Sequence, residues 1–326
     1  MNRIGGSAPH QLAINEIVVR RPANTCRPGS RFGNRQIANR HLSRAAAAST
    51  IGSNGMENTS RANANPFMTR PAQITMTLER GLHVLRAFRA ERTPLTNSEI
   101  VKRTGLPKAT VSRLTTTLVA LGFLRRVVGS TQFELAPASL HIGDTYLETN
   151  PVTDRVHSFL QELADRLNVS VALAVPDRLD MLYIAHRTSS RIATLRLGVG
   201  SLLPMGWTAT GRAWLWGLHP DARHEYLETL KRANGARIAE LERGIAAAFQ
   251  DLQTVGVCTS LGKYQRNAYG IALPVTVGRA ATLMSLSCGA VELEPDMAAI
   301  TERFAPVLKA AAADLVELLR DVDTRI

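Results

Sequence analysis

The stretch that most constrains the fold of this chain is residues 96–126, which has the pattern of two helices and a turn followed by a strand. Thr96 and Glu99 have the spacing of a capping box, in which a hydroxyl and a carboxylate satisfy free N–H groups at a helix start. Gly105 can adopt the left-handed backbone that ends a helix, and Pro107 suits the first turn of the next one. The stretch therefore predicts a helix-turn-helix.

The second helix of this pair has an apolar and a polar side. Its apolar residues recur at helical spacing and predict a buried face formed by Val111, Leu114, Leu118 and Leu121. The opposite side carries short hydroxyls and long cations, namely Lys108, Thr110, Ser112, Arg113, Thr115 and Thr116. Such groups contact phosphates and base edges in a DNA groove, so we expect a recognition helix that Gly122 closes.

The segment after the recognition helix predicts a wing. Residues 123–135 can form a two-stranded ribbon around Gly129, and Arg125 and Arg126 stand where a wing would meet phosphates. Paired short helices are also common in protein cores, but the cap, the polar face and the arginine pair favour DNA binding. The predicted DNA-binding residues are Lys108, Ala109, Thr110, Ser112, Arg113, Thr116, Arg125 and Arg126.

The basic charge of the chain is concentrated in its first 70 residues. This segment carries +8 of the formal net charge of +12 and lacks apolar periodicity, so we expect a disordered basic tail. It either adds non-specific attraction to DNA phosphates or reflects a start codon chosen too early, with Met56, Met68 and Met76 as later candidates. The second explanation is favoured, because the composition looks unselected.

The cysteine and hydropathy patterns place the protein in a reducing compartment. Cys26, Cys258 and Cys288 show no metal-ligand spacing and no disulfide framework, and no apolar run is long enough to span a membrane. We therefore expect a cytoplasmic protein without a metal or another cofactor.

The rest of the chain predicts an α+β domain with an antiparallel sheet. A linker helix over residues 137–150 and an amphipathic helix over 152–167 come first. Strands are predicted over residues 169–175, 181–187, 192–197, 257–260, 269–277 and 281–288, with a hairpin turn at Gly278. Helices are predicted over residues 208–218, 220–233, 236–253 and 295–322, and a loop over 198–205.

Three longer motifs make the chain resemble an IclR-family transcriptional regulator from about residue 77 to its end. They are LERGLHVLRAF in the first helix, GLPKATVSRLTTTLVALGFL in the recognition region and LLPMGWTATGRAWL in the later loop. ALPV at 272–275 and SLS at 285–287 resemble the family's late strands. The resemblance implies a winged helix-turn-helix domain over 75–136, the linker helix, and a GAF-like effector-binding domain over 151–326.

The resemblance also implies partners. Family members bind double-stranded DNA, dimerise through the N-terminal domain, often form tetramers, and bind a small, usually anionic metabolite, in many cases an aromatic or other organic acid. By position, Ala209 and Thr210 would offer backbone N–H groups to a carboxylate at a helix start. The implied effector-binding residues are Trp207, Thr208, Ala209, Thr210, Ser260, Gly270, Ser285 and Ser287.

Several of these positions depart from the family pattern or have simpler explanations. Gly206 replaces the usual His, Trp207 stands where Ala is common, and Lys263 and Arg266 lie in a usually acidic segment. Simpler roles are also open. Thr208 and Thr210 could cap the helix after the loop, and Ser285 and Ser287 could hydrogen-bond to a neighbouring helix. Trp207 could serve in packing, and Cys258 and Cys288 could be small buried apolar residues.

We predict a DNA-binding regulator whose operator binding responds to a small anionic metabolite, with a partly palindromic operator and half-sites about 10 bp apart or a multiple of that. Both repression and activation are open, as are dimer and tetramer. The alternative is a non-catalytic DNA-binding protein whose C-terminal domain only oligomerises. An enzyme is less favoured, because no nucleophile–base pair, metal-ligand spacing or cofactor loop is present.

Overall fold

A computed structural model describes residues 75–88, 93–190 and 197–325. The predicted tail over residues 1–70 and nearly all of the predicted strand over 192–197 lie outside these ranges.

The first part of the described chain is a winged helix-turn-helix. Its elements are α1 (Met76–Arg86), β1 (Leu95–Thr96), α2 (Asn97–Thr104), α3 (Lys108–Ala120), β2 (Leu124–Arg126) and β3 (Gln132–Leu135). The strands pair antiparallel in the order β1-β3-β2, and β1 was not predicted. The core includes Val84, Leu95, Ile100, Val111, Leu118, Leu124 and Phe133.

The predicted capping box at the start of α2 is confirmed. Thr96 N donates to Glu99 Oε2 at 2.6 Å, and Glu99 N donates to Thr96 Oγ1 at 3.2 Å. Gly105 ends the helix with a φ of 70°. Pro107 occupies the N-cap of α3 and not its first turn, so α3 begins one residue later than expected.

Two residues of α3 were assigned to the wrong face. Leu121 is 61% exposed, because the helix has ended at Ala120 and the chain turns away at Gly122. Thr115 is only 1% exposed and donates to Asn97 Oδ1 at 3.1 Å, so it joins α3 to the start of α2. Helical spacing alone misses both, since the buried arc is set by where α1 and α2 pack.

The C-terminal part is a six-stranded antiparallel sheet in the order β6-β5-β4-β9-β8-β7. Its strands are β4 (Ser170–Asp177), β5 (Asp180–Thr188), β6 (Leu202–Pro204), β7 (Cys258–Leu261), β8 (Ala268–Val277) and β9 (Thr282–Val291). β6 lies inside the predicted loop over 198–205, because Asp180 to Leu182 of β5 offer it a pairing edge. Gly278, with a φ of 71°, makes the predicted β8–β9 turn.

Helices cover both faces of this sheet. The helices of this part are α4 (Pro137–Thr149), α5 (Pro151–Leu167), α6 (Ala209–Gly217), α7 (Pro220–Asn234), α8 (Ile238–Thr254) and α9 (Met297–Leu318), of which α4 buries no residue. Apolar residues of α5 and α9 pack on one face, and those of α6, α7 and α8 pack on the other. The fold class is therefore the predicted one, a winged helix-turn-helix followed by an antiparallel-sheet α+β domain.

Candidate functional site

The predicted DNA-binding residues lie on the surface of the winged helix-turn-helix. Lys108, Ala109, Ser112, Arg113 and Thr116 of α3 are exposed, whereas Thr110 is half-buried. Pro107, the N-cap of α3, provides no side-chain hydrogen bond to the helix. The N–H groups of the first turn of α3 are therefore not capped by a side chain.

The two arginines of the wing are exposed on β2 and held by β3. Arg125 Nη2 lies 2.9 Å from Glu134 Oε1, and the Arg126 guanidinium lies 4.8 Å from the centre of the Phe133 ring. These contacts orient both cations on the wing.

A cavity that is partly open to solvent lies between the sheet and the start of α6. Its walls come from the six strands β4 to β9, the start of α6 and the β7–β8 loop. Its lining residues include Tyr183, His186, Thr208, Ala209, Thr210, Ser260, Lys263, Tyr264, Gly270 and Ser287.

The buried start of α6 faces this cavity. Thr208 caps the helix by accepting from Gly211 N at 3.5 Å, and Ala209 N donates to Ser260 Oγ at 3.0 Å. Within the described ranges, no hydrogen bond is assigned to the N–H of Thr210. A helix N-terminus with a free N–H group attracts an anion, since the helix dipole adds to the hydrogen bond.

Other polar groups of the cavity also lack partners. Ser287 Oγ and His186 Nε2 are buried and have no hydrogen bond of normal geometry within the described part of the chain, although the Ser287 hydroxyl lies close enough to Tyr183 to influence its pKa. Burial raises the pKa of Tyr183, an effect that the hydroxyls of Ser287 and Thr210 oppose. Burial, with a smaller effect from Arg187, lowers the pKa of His186. The cavity thus offers neutral polar groups at neutral pH.

One charged side chain stands at the edge of the cavity. Lys263 lines it and pairs with Glu240 of α8 at 2.8 Å. Hydrogen bonds from Lys263 and then Arg237 lower the pKa of Glu240.

Six of the eight implied effector-binding residues line the cavity, and Trp207 and Ser285 do not. Trp207 donates from Nε1 to Asn234 Oδ1 at 3.0 Å and packs under the Arg237 guanidinium, 3.9 Å from the ring centre. Ser285 is fully buried in β9, and its Oγ has no hydrogen-bond partner in the described structure.

Tyr183, His186, Lys263 and Tyr264 line the cavity although sequence reasoning did not select them. The sequence marked Lys263 only as a departure from a family pattern. Strand alternation could have placed Tyr183 on the same face as Met181, but not in a cavity.

The two described cysteines are buried, as expected for small apolar residues. Cys258 Sγ donates to Ala209 O at 3.4 Å, and burial raises the pKa of this thiol to about 12. Burial also raises the pKa of Cys288. Both thiols are therefore protonated at neutral pH and unreactive.

The described residues offer no metal centre. They hold no group of three or more His, Cys, Asp or Glu side chains suited to a metal ion. None of the described helices combines the length and apolarity needed to cross a bilayer.

Two family profiles match the chain. Residues 77–127 match the profile described as IclR helix-turn-helix domain. Residues 144–316 match the profile described as bacterial transcriptional regulator IclR C-terminal. Together they cover the winged helix-turn-helix and most of the sheet domain.

Two known transcriptional regulators are similar to this chain over most of their length. The Pca regulon regulatory protein of Pseudomonas putida is 28% identical over 272 residues, 80% of this chain and 93% of the relative. The p-hydroxybenzoate hydroxylase transcriptional activator of Acinetobacter baylyi is 24% identical, and the match covers 74% of this chain and 91% of the relative.

Solved structures share the fold. The IclR family transcriptional regulator from Brucella abortus has a TM-score of 0.68 at 30% identity, covering 75% of this chain and 93% of that one. The IclR homolog from Microbacterium hydrocarbonoxydans complexed with 4-hydroxybenzoate has a TM-score of 0.52 at 23% identity. The match covers 74% of this chain and 98% of that one.

Proposed function

Because the chain belongs to the IclR family of transcriptional regulators, we propose that it binds operator DNA through α3 and the wing, and that a small carboxylate in the cavity modulates this binding. It is a DNA-binding regulator and not an enzyme, since the family consists of transcriptional regulators. In this proposal residues 75–136 form the DNA-binding domain, 137–150 the linker helix and 151–326 the effector-binding domain.

The exposed face of α3 supports the DNA-binding half of the proposal. Lys108 and Arg113 would contact phosphates or base edges, and Arg125 and Arg126 the backbone beside the wing. In a dimer two such helices would enter successive major grooves, so a footprint should show half-sites about 10 bp apart or a multiple of that. Such a regulator acts where the DNA lies, in the cytoplasm.

Exposed apolar side chains support a dimer. Leu78 and Leu82 of α1 and Leu140, Ile142 and Leu147 of α4 are exposed large apolar residues. α4 has no buried residue at all. Large exposed apolar side chains on two helices are typical of an interface, so we propose that the homodimer contact lies on α1 and α4. Light scattering tests this contact by comparing the molar mass of the Leu140→Glu variant with that of the unmodified protein. A lower mass for the variant is expected.

The observation that carries the effector half is that the N–H of Thr210, which has no hydrogen bond among the described residues, and the Ser287 hydroxyl, which has none of normal geometry among them, line the same cavity. A carboxylate would accept from both, and the apolar walls would contact the rest of the ligand. The name of the Acinetobacter relative and the 4-hydroxybenzoate held by the Microbacterium structure make 4-hydroxybenzoate the first probe.

Two neighbouring serines provide a matched test of this site. Ser287→Ala removes a cavity hydroxyl that makes no hydrogen bond of normal geometry with the described residues, so ligand affinity should fall about tenfold while the fold is unharmed. Ser285→Ala removes a similar buried hydroxyl outside the cavity and should leave affinity unchanged. Calorimetry with 4-hydroxybenzoate and operator binding with and without it measure both variants. Equal behaviour of the two would remove Ser287 from the site.

A further inference from the structure

We propose that the cavity selects a ligand with two acidic groups, one bound at the buried start of α6 and one bound by Lys263 at the cavity mouth in place of Glu240. This inference rests on the proposed function and adds the chemical class of the effector.

The two anion-accepting positions differ in depth. Ala209 and Thr210, whose N–H groups begin α6, are 1% and 4% exposed. The Lys263 side chain is 37% exposed and extends from the loop after β7, beyond the last paired residue of that strand, Leu261. Both positions line the same cavity, so a ligand that extends from its floor to its mouth reaches both.

The ion pair at the mouth is arranged so that its partner can be exchanged. Glu240 Oε1 accepts from Lys263, whereas Oε2 accepts from Arg237 Nε and Nη2 at 3.2 and 3.1 Å. When Lys263 turns to a ligand, Glu240 keeps Arg237 and is not left as an unpaired charge. The exchange therefore replaces one carboxylate with another at Lys263.

This arrangement discriminates by charge. A neutral group at the mouth cannot replace the carboxylate of Glu240, because the ammonium would lose its ion pair without gaining another. A second carboxylate restores the pair in a less exposed setting, where a charge-assisted hydrogen bond is stronger. A ligand with one carboxylate, placed at α6, gains nothing from Lys263.

The same change is transmitted to the loop that precedes α6. Arg237, which shares Glu240 with Lys263, covers the ring of Trp207, and Trp207 lies two residues before Ala209. Ligand exchange at the mouth would thus alter the packing around the start of α6, which is the floor of the cavity.

Calorimetry with paired probes on the full chain tests the inference. The probes are terephthalate against benzoate, and adipate against hexanoate, in which only the second carboxylate differs. We expect the unmodified protein to bind at least one diacid about tenfold tighter than its monoacid. Lys263→Met should abolish that preference, and Glu240→Gln should strengthen diacid binding severalfold.

A second ion pair on α8 supplies the control. Lys231 pairs with Glu242 at 3.0 Å with similar exposure, and neither residue lines the cavity. Lys231→Met and Glu242→Gln should therefore leave the diacid preference intact, which separates a local effect from a general loss of charge.

The outcomes distinguish this inference from the proposed function. If monoacids bind and change operator affinity but diacids bind no tighter, or if Lys263→Met weakens both classes equally, the second acidic site is wrong and the effector site stands. If the unmodified protein binds none of the four acids, the second acidic site is contradicted, and calorimetry with 4-hydroxybenzoate decides separately whether the effector site stands.

Discussion

The helices α3 and α6 both begin with N–H groups suited to an anion, but they meet different surroundings. The start of α3 is exposed, with Lys108 and Ala109 open to solvent and no side-chain cap. The start of α6 is enclosed, and seven of its nine residues are buried. The same backbone chemistry can therefore serve a long phosphate polymer outside the protein or one small anion inside it, and burial decides which.

The largest effect is expected from displacing the start of α6, which forms the floor of the cavity. Gly211→Ala would place a Cβ against the backbone carbonyl and Cα of Met205, which cannot move aside as a side chain can. We expect a loss of about 3 kcal/mol in the free energy of unfolding, together with loss of ligand binding. Urea denaturation measures the first effect and calorimetry the second.

An exposed helical glycine is the control for this change. Gly143 of α4 has no atom near the position of an added Cβ, so Gly143→Ala should raise the free energy of unfolding by up to about 1 kcal/mol. Equal stability of the two variants would contradict the close packing described for α6.

The next effect should separate the two helices by function. Arg113→Ala on α3 should weaken operator binding by about 2 kcal/mol if the guanidinium reads a base, and leave ligand affinity unchanged. Fluorescence anisotropy on operator and random DNA measures affinity and specificity. Arg232 is an exposed arginine on α7, and Arg232→Ala is the control, which should leave operator binding unchanged. Unchanged affinity and specificity for Arg113→Ala would remove this residue from the interface.

A smaller effect separates folding from DNA contact within α3. Thr115→Val removes the buried hydroxyl that donates to Asn97, which should lower the free energy of unfolding by about 1 kcal/mol. The neighbouring Thr116 is exposed, so Thr116→Val should leave stability nearly unchanged and weaken operator binding. The reverse pattern in denaturation and anisotropy would show that the two threonines are assigned to the wrong roles.

The smallest effect is a pH dependence from the cavity. Since burial lowers the pKa of His186 below its ordinary 6.5, the unfolded chain binds more protons than the folded one just below pH 6.5. Stability should therefore fall as pH drops below 6.5, and His186→Gln should reduce that fall. Thermal unfolding across pH 5.5–7.5 compares the two proteins. Burial also lowers the pKa of His83. Its contribution to the pH dependence of stability is the same in the unmodified protein and in the variant, so it cancels in the comparison.

The DNA-binding surface was easier to predict than the cavity, for a local reason. The capping box, the Gly105 turn and the polar side of α3 each depend on residues that are close together in the chain, so spacing predicts them. The cavity combines six strands and loops that are far apart in the chain. Trp207 lies next to its lining residues in sequence, yet its ring packs toward Asn234 and Arg237 instead.

By itself, the sequence determined the order and type of nearly all described elements, the helix caps and the exposed basic face of α3, because these depend on interactions between residues close in the chain. Only the tertiary structure decided that Thr115 is buried, that Ser287 faces the cavity while Ser285 does not, and that Lys263 meets Glu240. Those facts depend on strand register and on which helix covers which face, and both are fixed only when distant segments pack together.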